Sequence, residues 1–354
     1  MKKFLNKNKK LLFILAIPYI LIILLAFIKI DYDVTVPANI SSIENVIQIE
    51  DETKLNGSIN VVSVYSYERV SVLAYLIGKI NPYSNVTESY EYTDIDYADM
   101  YNGGVIDKRV SIYNSIIAGF KQAGYDIDYT FLGYIVDTIT TYVDTNIEIG
   151  DIIVSVNGVK LSNEYSVKDA FSELSSDTVT LGIIKKGKSL PEEFVVKAKY
   201  FEENNRKYYS YGFNVQAYNI PVNNEEYPSF EILWSNINSI GPSGGLLQSF
   251  YVYEKLTGAK LSDGLKIAGT GTVDINGNAG LIGGIEQKII TSELSGVDIF
   301  FVPVTSENYL NDLNELNYID ALNAYKKLNN PHMKIAPVWS LESLIDAIIL
   351  YRKG

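Results

Sequence analysis

No cysteine occurs among the 354 residues, so no disulfide bond can hold this fold together. Disulfide scaffolds, thiolate metal sites and cysteine nucleophiles are excluded. The chain must instead bury a hydrophobic core. Its composition, 47% hydrophobic and 20% charged, is typical of globular proteins and argues against disorder. The length suggests two or three domains, since a domain usually contains about 100–200 residues.

The sequence excludes further kinds of site. The single histidine, His332, cannot form a histidine-pair metal motif, and a Ser-His-Asp triad would depend on that residue alone. We predict no metal and no cofactor. Acidic residues outnumber basic ones, which gives a net charge of −12, so a nucleic acid is not expected as a partner.

The N-terminal segment combines positive charge with an apolar run. Residues 1–10 contain five lysines and no acid, and residues 11–28 are uncharged and mostly apolar. As a helix, that run would measure about 27 Å, close to the thickness of a bilayer's hydrocarbon core. We therefore predict a transmembrane helix at residues 11–30 in contact with the lipid bilayer. The competing interpretation, a cleaved signal peptide, lacks a small-x-small cleavage site.

The charge distribution also predicts an orientation. Because the lysine-rich side of a membrane helix stays in the cytoplasm, residues 1–10 should be cytoplasmic and the rest of the chain extracellular. The predicted localisation is the cell membrane, with a single pass.

A β-rich unit is predicted for residues 125–204. Its most informative stretch is residues 147–158, IEIGDIIVSVNG, which resembles the L-x-x-G-D-x-I-x-x-V-N-G segment of PDZ domains. The resemblance implies a domain that adds peptide C-termini to a sheet edge. Backbone N–H groups of a loop containing Leu132, Gly133 and Tyr134 would hold the carboxylate. The alternative is that Gly133 serves only a turn.

One motif inside this unit matches a nucleotide-binding pattern by its letters alone. Residues 182–189, GIIKKGKS, fit the phosphate-binding pattern G-x-x-x-x-G-K-[ST]. That mechanism needs a helix to begin at the final serine, whereas Pro191 and a β-branched pair follow here. We predict a lysine-rich hairpin instead, and no nucleotide partner.

The remaining residues, 205–354, alternate helical and strand patterns with short connections, so we predict an α+β fold. A strand is predicted at residues 334–338, and Ser340 should cap a final helix. Nearer the N-terminus, Asn56-Gly57 indicates a hairpin between strands at residues 46–50 and 59–65.

Two segments are candidates for chemistry. Residues 241–245, GPSGG, precede a predicted helix, so Ser243 is flanked by small residues and lies beside unpaired helix N–H groups that could bind an oxyanion. Residues 269–272, GTGT, and 282–288, IGGIEQK, form the second segment. Lys288 borders the apolar stripe of a predicted helix, where lost hydration lowers the pKa of an amine and makes it a base. Taken singly, the first segment is often only a turn, and Lys288 only a surface lysine.

Together, GPSGG, GTGT and IGGIEQK resemble the proteolytic domain of Lon-type serine proteases, which use a Ser-Lys dyad. The resemblance implies that Ser243 is the nucleophile, Lys288 the general base and Thr270 the residue that orients Lys288. The family usually has alanine at the position of Gly244 and often proline at that of Leu281. Neither departure removes a catalytic group.

With the anchor and the PDZ-like unit, the chain resembles the membrane-anchored PDZ/Lon-like proteases of Gram-positive bacteria. This resemblance implies that the PDZ domain is inserted into the protease. The resulting domains are a cytoplasmic N-terminus (1–10), a transmembrane helix (11–30), an N-terminal part of the protease (31–124), a PDZ domain (125–204) and a Lon-type proteolytic domain (205–354).

The predicted function is a membrane-anchored, ATP-independent serine endopeptidase, a hydrolase that cleaves extracellular peptides or exposed protein segments. The PDZ domain would recruit substrate or control access. ATP independence is expected because the sequence shows no ATPase module. The alternative is a catalytically silent PDZ scaffold that only binds peptide termini. The joint presence of Ser243, Lys288 and Thr270 favours the enzyme.

Overall fold

The computed structural model describes residues 8–50, 54–89, 97–141, 146–172, 177–203, 206–308 and 316–353. Residues 1–7 of the predicted cytoplasmic N-terminus and the predicted boundary at 204/205 lie outside the described residues. The described helices are α1 (Lys9–Phe27), α2 (Val72–Ile80), α3 (Tyr97–Gln122), α4 (Val167–Ser172), α5 (Gly245–Thr257), α6 (Ile285–Leu294), α7 (Leu316–Lys327) and α8 (Leu341–Lys353), with 3₁₀ turns at Ile43–Asn45 and Trp234–Asn236.

The described strands fall into two larger sheets and three short pairs. They are β1 (Tyr32–Ser42), β2 (Ile47–Ile49), β3 (Ser58–Tyr67), β4 (Asn85–Glu88), β5 (Tyr129–Ile139), β6 (Ile152–Val156), β7 (Val159–Lys160), β8 (Thr178–Ile184), β9 (Glu192–Lys197), β10 (Lys199–Glu203), β11 (Arg206–Ser210), β12 (Phe213–Pro221), β13 (Phe230–Ile232), β14 (Lys266–Gly269), β15 (Thr272–Val273), β16 (Ala279–Gly280), β17 (Ile299–Pro303) and β18 (Lys334–Val338).

The first sheet has the strand order β18-β17-β14-β3-β1-β4 and is covered by helices on both faces. Its first four strands are parallel to one another, whereas β1 runs antiparallel to both of its neighbours, β3 and β4. Side chains alternate along each strand. Ile267 and Ile299 therefore enter the core under α3, α5 and α8, whereas Ala268 and Phe300 enter the core under α6 and α7. The α+β class is confirmed.

The predicted hairpin at Asn56-Gly57 is wrong. Strand β2 pairs with β13, while β3 lies between β1 and β14 in the first sheet. Gly57 lies in a loop against the carbonyl oxygen of Ser262, which a Cβ at this position would strike. The reason is that β14 takes the edge of β3 that the hairpin would have used, and β14 is distant in sequence.

The second sheet is antiparallel, with the order β12-β5-β6-β8-β9, and β7 also pairs with β6. Its core includes Ile106 and Val110 of α3, so this helix separates the two large cores. Residues 182–189 form the predicted hairpin between β8 and β9, and no helix follows Ser189. This sheet continues past residue 204, because its edge strand β12 begins at Phe213.

Helix α1 occupies much of the segment that was predicted to span a membrane. It ends at Phe27, and Ile28 already has an extended backbone. Among the described residues, no helix combines the length and the apolar character that a membrane crossing needs. The predicted transmembrane helix at residues 11–30 is wrong. So is the single-pass cell-membrane localisation with a cytoplasmic N-terminus and an extracellular remainder.

Candidate active site

Ser243 lies in a tight loop that leads directly into α5 and is fixed to α3. The loop turns at Gly241, whose φ of +83° favours glycine. The Gly241 N–H donates to the Gly104 carbonyl over 2.8 Å. The Ser111 hydroxyl donates to the Pro242 carbonyl, also over 2.8 Å. Two contacts with one helix therefore set the position of the half-buried Ser243.

Within the ranges that the structure describes, the carbonyl oxygen of Ser243 is hydrogen-bonded, whereas its N–H and hydroxyl are not. Its carbonyl oxygen accepts hydrogen bonds from the Gly271 N–H, at 2.8 Å, and from the Thr270 hydroxyl, at 2.9 Å. Its hydroxyl and its N–H, like the N–H of Gly244, make no hydrogen bond with the described part of the chain. One hydroxyl and two adjacent N–H donors are therefore free at the start of α5.

Lys288 reaches this loop from α6, on the opposite face of the first sheet from α5. Its side chain is only 3% exposed, and Nζ donates to the Thr270 hydroxyl over 3.1 Å. Burial lowers the pKa of Lys288 to about 8, helped by the positive charge of Lys108. Two successive hydrogen bonds thus connect the Lys288 ammonium to the backbone of Ser243 through Thr270.

The hydrogen-bond directions at Thr270 determine what Lys288 can do. A hydroxyl has one proton, and Thr270 gives it to the Ser243 carbonyl, so it can only accept from Lys288. A neutral Lys288 amine would therefore donate one N–H to Thr270, and its lone pair would remain available to accept a proton. No direct bond joins Ser243 Oγ to Lys288 Nζ. Catalytic hydrogen bonds often form only when substrate is bound.

Asn317 fixes the loop before α6. Its side-chain amide donates to the Ile282 carbonyl over 2.7 Å, and its side-chain oxygen accepts from the Ile282 N–H over 2.9 Å. This paired contact sets where α6 begins, and therefore where Lys288 points. The sequence pattern did not identify Asn317, because α7, which carries it, packs on α6 only in the folded chain.

Gly244 lies in a confined space. A Cβ added there would be 2.9 Å from Val61 Cγ1 and 3.7 Å from Lys108 Nζ. An alanine at this position would therefore need Val61 to move. Sequence reasoning identified Gly244 as a departure from the family pattern but missed Lys108, which is only 7% exposed beside it.

The predicted peptide-binding residues lie apart from this group, inside strand β5 and not in a loop. Gly133 has a φ of +133°, and a Cβ there would be 2.6 Å from the Ile153 carbonyl oxygen. Leu132 is exposed and Tyr134 is buried. Strand β5 pairs with β12 over most of its length and with β6 at Tyr134 and Ile135. An added peptide would find one edge of β5 already occupied by β12.

Other candidate groups are separate from Ser243. His332 is exposed, with Nδ1 3.1 Å from Glu293 Oε1 near the end of α6. Within the described ranges, no three Asp, Glu or His side chains are placed to hold a metal ion.

A cavity of about 410 Å³ adjoins Pro242. It is lined among others by Ser111, Asn114, Gln216, Thr272 and Asp274.

Comparison with known proteins gives partial matches, and no family model matches the chain. The chain is 31% identical to the Lon protease of Mycoplasma pneumoniae over 102 residues, 28% of this chain and 13% of that protein. It is 32% identical to the Lon protease of Ureaplasma parvum over 73 residues, 21% of this chain and 9% of that protein. It is 32% identical to that of Mycoplasma genitalium over 83 residues, 23% and 10% of the two chains. The matches span about a tenth of those relatives, and the similarity to Lon proteases covers about a quarter of this chain.

Proposed function

We propose that this chain is a serine endopeptidase in which Ser243 is the nucleophile and Lys288 the general base. The observation that carries the proposal is the buried Lys288 amine, joined to the Ser243 backbone through Thr270. The partial similarity to Lon proteases supports a peptidase in general. The pairing of Ser243 with Lys288 as a dyad is our own assignment.

The first chemical step transfers the acyl group to Ser243. The neutral Lys288 amine takes the proton from Ser243 Oγ as this oxygen attacks the carbonyl carbon of the scissile peptide bond. The resulting ammonium then gives that proton to the departing amine as the carbon–nitrogen bond breaks. In the second step Lys288 takes a proton from water as the water oxygen attacks the ester carbon. Lys288 then gives that proton to Ser243 Oγ as the ester bond breaks and the carboxylic acid product leaves.

The N–H groups of Ser243 and Gly244 are our candidates for the oxyanion hole. Both are free of partners among the described residues, and both lie at the N-terminus of α5, where the helix dipole favours negative charge. The Gly245 N–H is a poorer candidate, because it already donates to the Pro242 carbonyl over 3.2 Å.

The proposed substrates are peptides or exposed segments of proteins. The cavity beside Pro242 is next to Ser243 and lined by polar side chains from α3, β12 and the β15–β16 hairpin, so an extended chain has a place to lie. The proposed steps require no nucleotide, and we propose that cleavage proceeds without ATP.

For the β-rich unit we propose a PDZ-like module that controls access to the site. Its edge strand β12 carries Gln216, which lines the cavity beside Pro242. Recruitment of peptide termini at β5 is the less favoured role, because β12 covers that edge and Phe171 of α4 stacks on Tyr211, just before β12, at 4.8 Å. The same observation disfavours a scaffold that only binds peptides.

The test is cleavage of casein or of an unstructured peptide by the wild-type chain and by Ser243→Ala, without nucleotide. Ser239→Ala is the matched control, since Ser239 is exposed and only four residues away. We expect cleavage by the wild type and by Ser239→Ala, and none by Ser243→Ala. Equal activity of Ser243→Ala would refute the nucleophile. Peptide binding without cleavage by any of the three would favour the scaffold.

A further inference from the structure

We propose that Lys108 is a positioning residue of this site, whose ammonium keeps the neighbouring Lys288 in its neutral form. The proposal rests on the Ser-Lys chemistry proposed above and adds a third functional side chain, contributed by α3.

The first observation is where Lys108 lies. Its side chain is 7% exposed, and Nζ is 3.7 Å from the point where a Cβ on Gly244 would be. Lys288 reaches the same peptide from α6 through Thr270. The two amines therefore approach the Ser243–Gly244 loop from two different helices.

The second observation is that neither lysine has a partner that could neutralise it. No carboxylate in the described part of the chain lies within 4.0 Å of Lys108 Nζ or Lys288 Nζ, and Lys108 makes no hydrogen bond there. Burying an ammonium group without a counter-ion costs desolvation free energy, so these two buried lysines reduce the stability of the folded chain.

The surrounding acids are engaged elsewhere. On α3 and β5, Asp107 and Asp137 share the side-chain amide of Gln216, at 2.7 and 3.0 Å. Glu254 of α5 accepts from Ser262, Asp274 after β15 accepts from Asn276 and Asn278, Glu286 of α6 pairs with Lys327, and Glu293 pairs with His332. Arg109, the next residue along α3, lies over the Trp234 ring. Each of these acids therefore has a partner other than Lys108 or Lys288.

The third observation is that only one of the two amines is hydrogen-bonded to the Ser243 loop through Thr270. Burial lowers the pKa of both lysines, and the charge on Lys108 lowers that of Lys288 further. Because two positive charges repel each other, one amine should release its proton before the other. Lys288 is the amine with the hydrogen bond to Thr270, so the division of roles follows the geometry.

The test compares the pH dependence of kcat/KM in Lys108→Met, Lys108→Arg and the wild type. Lys121→Met is the control, because Lys121 lies on the same helix and is exposed. Removing the charge in Lys108→Met should move the midpoint of the profile upward by roughly one pH unit. The rate at pH 7 should then fall about tenfold and recover at high pH. Lys108→Arg keeps the charge and should leave the midpoint near that of the wild type.

A second readout does not depend on activity. The pKa of Lys288 can be followed by NMR of ε-¹³C-labelled lysine in Ser243→Ala, with and without Lys108→Met. We expect the Lys288 pKa to rise in the double variant. An unchanged pKa, or a rate loss in Lys108→Met that is equal at every pH, would overturn the proposal. If the chain cleaves nothing, the titration still decides whether Lys108 acts on Lys288, so the two proposals fail separately.

Discussion

The pKa of Lys288 makes the pH dependence of cleavage the sharpest prediction for this site. Only the neutral amine can take a proton from Ser243, so kcat/KM should follow the deprotonated fraction of Lys288. Because the folded environment lowers this pKa from 10.5 to about 8, the rate should rise with pH and level off above about pH 9.

The magnitude follows from that value. With a pKa of about 8, roughly 9% of Lys288 is neutral at pH 7 and roughly 90% at pH 9, a tenfold rise. With the ordinary lysine value of 10.5, only about 0.03% would be neutral at pH 7. Burial of Lys288 beside Lys108 therefore raises the reactive fraction at neutral pH about 300-fold.

The assay is the initial rate of cleavage of a quenched fluorescent peptide, measured well below KM from pH 6.5 to 10. The peptide should contain no group that titrates in this range, and circular dichroism at each pH should show that the protein stays folded. Lys288→Arg is the matched variant, since its guanidinium stays protonated and should give no cleavage at any pH. A rate independent of pH between 7 and 9, or one still rising steeply at pH 10, would refute the reasoning.

Three other predictions concern stability and assignment. Lys288→Met should raise the free energy of unfolding by about 1–3 kcal/mol at pH 7 in urea titrations. Below about pH 8 the wild-type chain buries a charged Lys288, which lowers its stability. Between about pH 8 and 10.4 the folded chain holds Lys288 neutral while the unfolded chain still protonates it, so the stability gained by Lys288→Met should shrink over this range. Gly244→Ala should lower both activity and Tm, because its Cβ would be 2.9 Å from Val61 Cγ1, and Val61→Ala should restore part of both; no recovery would show that Val61 is not the obstacle. His332→Ala should cleave normally, since His332 contacts Glu293 and not Ser243; its inactivity alongside an active Lys288→Met would move the base to the histidine.

Local sequence patterns predicted elements whose signals lie within a few residues. The strand predicted at residues 334–338 is β18, and Ser340 caps α8 by accepting from the Ser343 N–H at 3.1 Å. The false hairpin at Asn56-Gly57 shows the limit of such patterns. A turn dipeptide is a local signal, whereas the partner of β3 is decided by β14, about two hundred residues later.

The candidate site shows the same limit. Glycine-rich loops placed Ser243, Thr270 and Lys288, and the structure brings these three together. Lys108 gave no signal, because its burial depends on the packing of α3 against α5 and on the missing side chain at Gly244. The prediction at residues 11–30 rested on a local run of apolar letters, and no helix in the described ranges has both the length and the apolar character that a membrane crossing needs.

The pairing of β5 with β12 bears on how a gene for this chain could have been assembled. The chain enters the second sheet along β5 and returns from it along the antiparallel strand β12. At the far end of that pair, Ile139 lies directly opposite Phe213. Opposed residues in an antiparallel ladder are about 5 Å apart, so a two-residue turn would suffice to join them. The two ends of the segment from residue 140 to 212 therefore lie next to each other. Its gain or loss in a single recombination event would leave the loops of Ser243 and Lys288 unbroken.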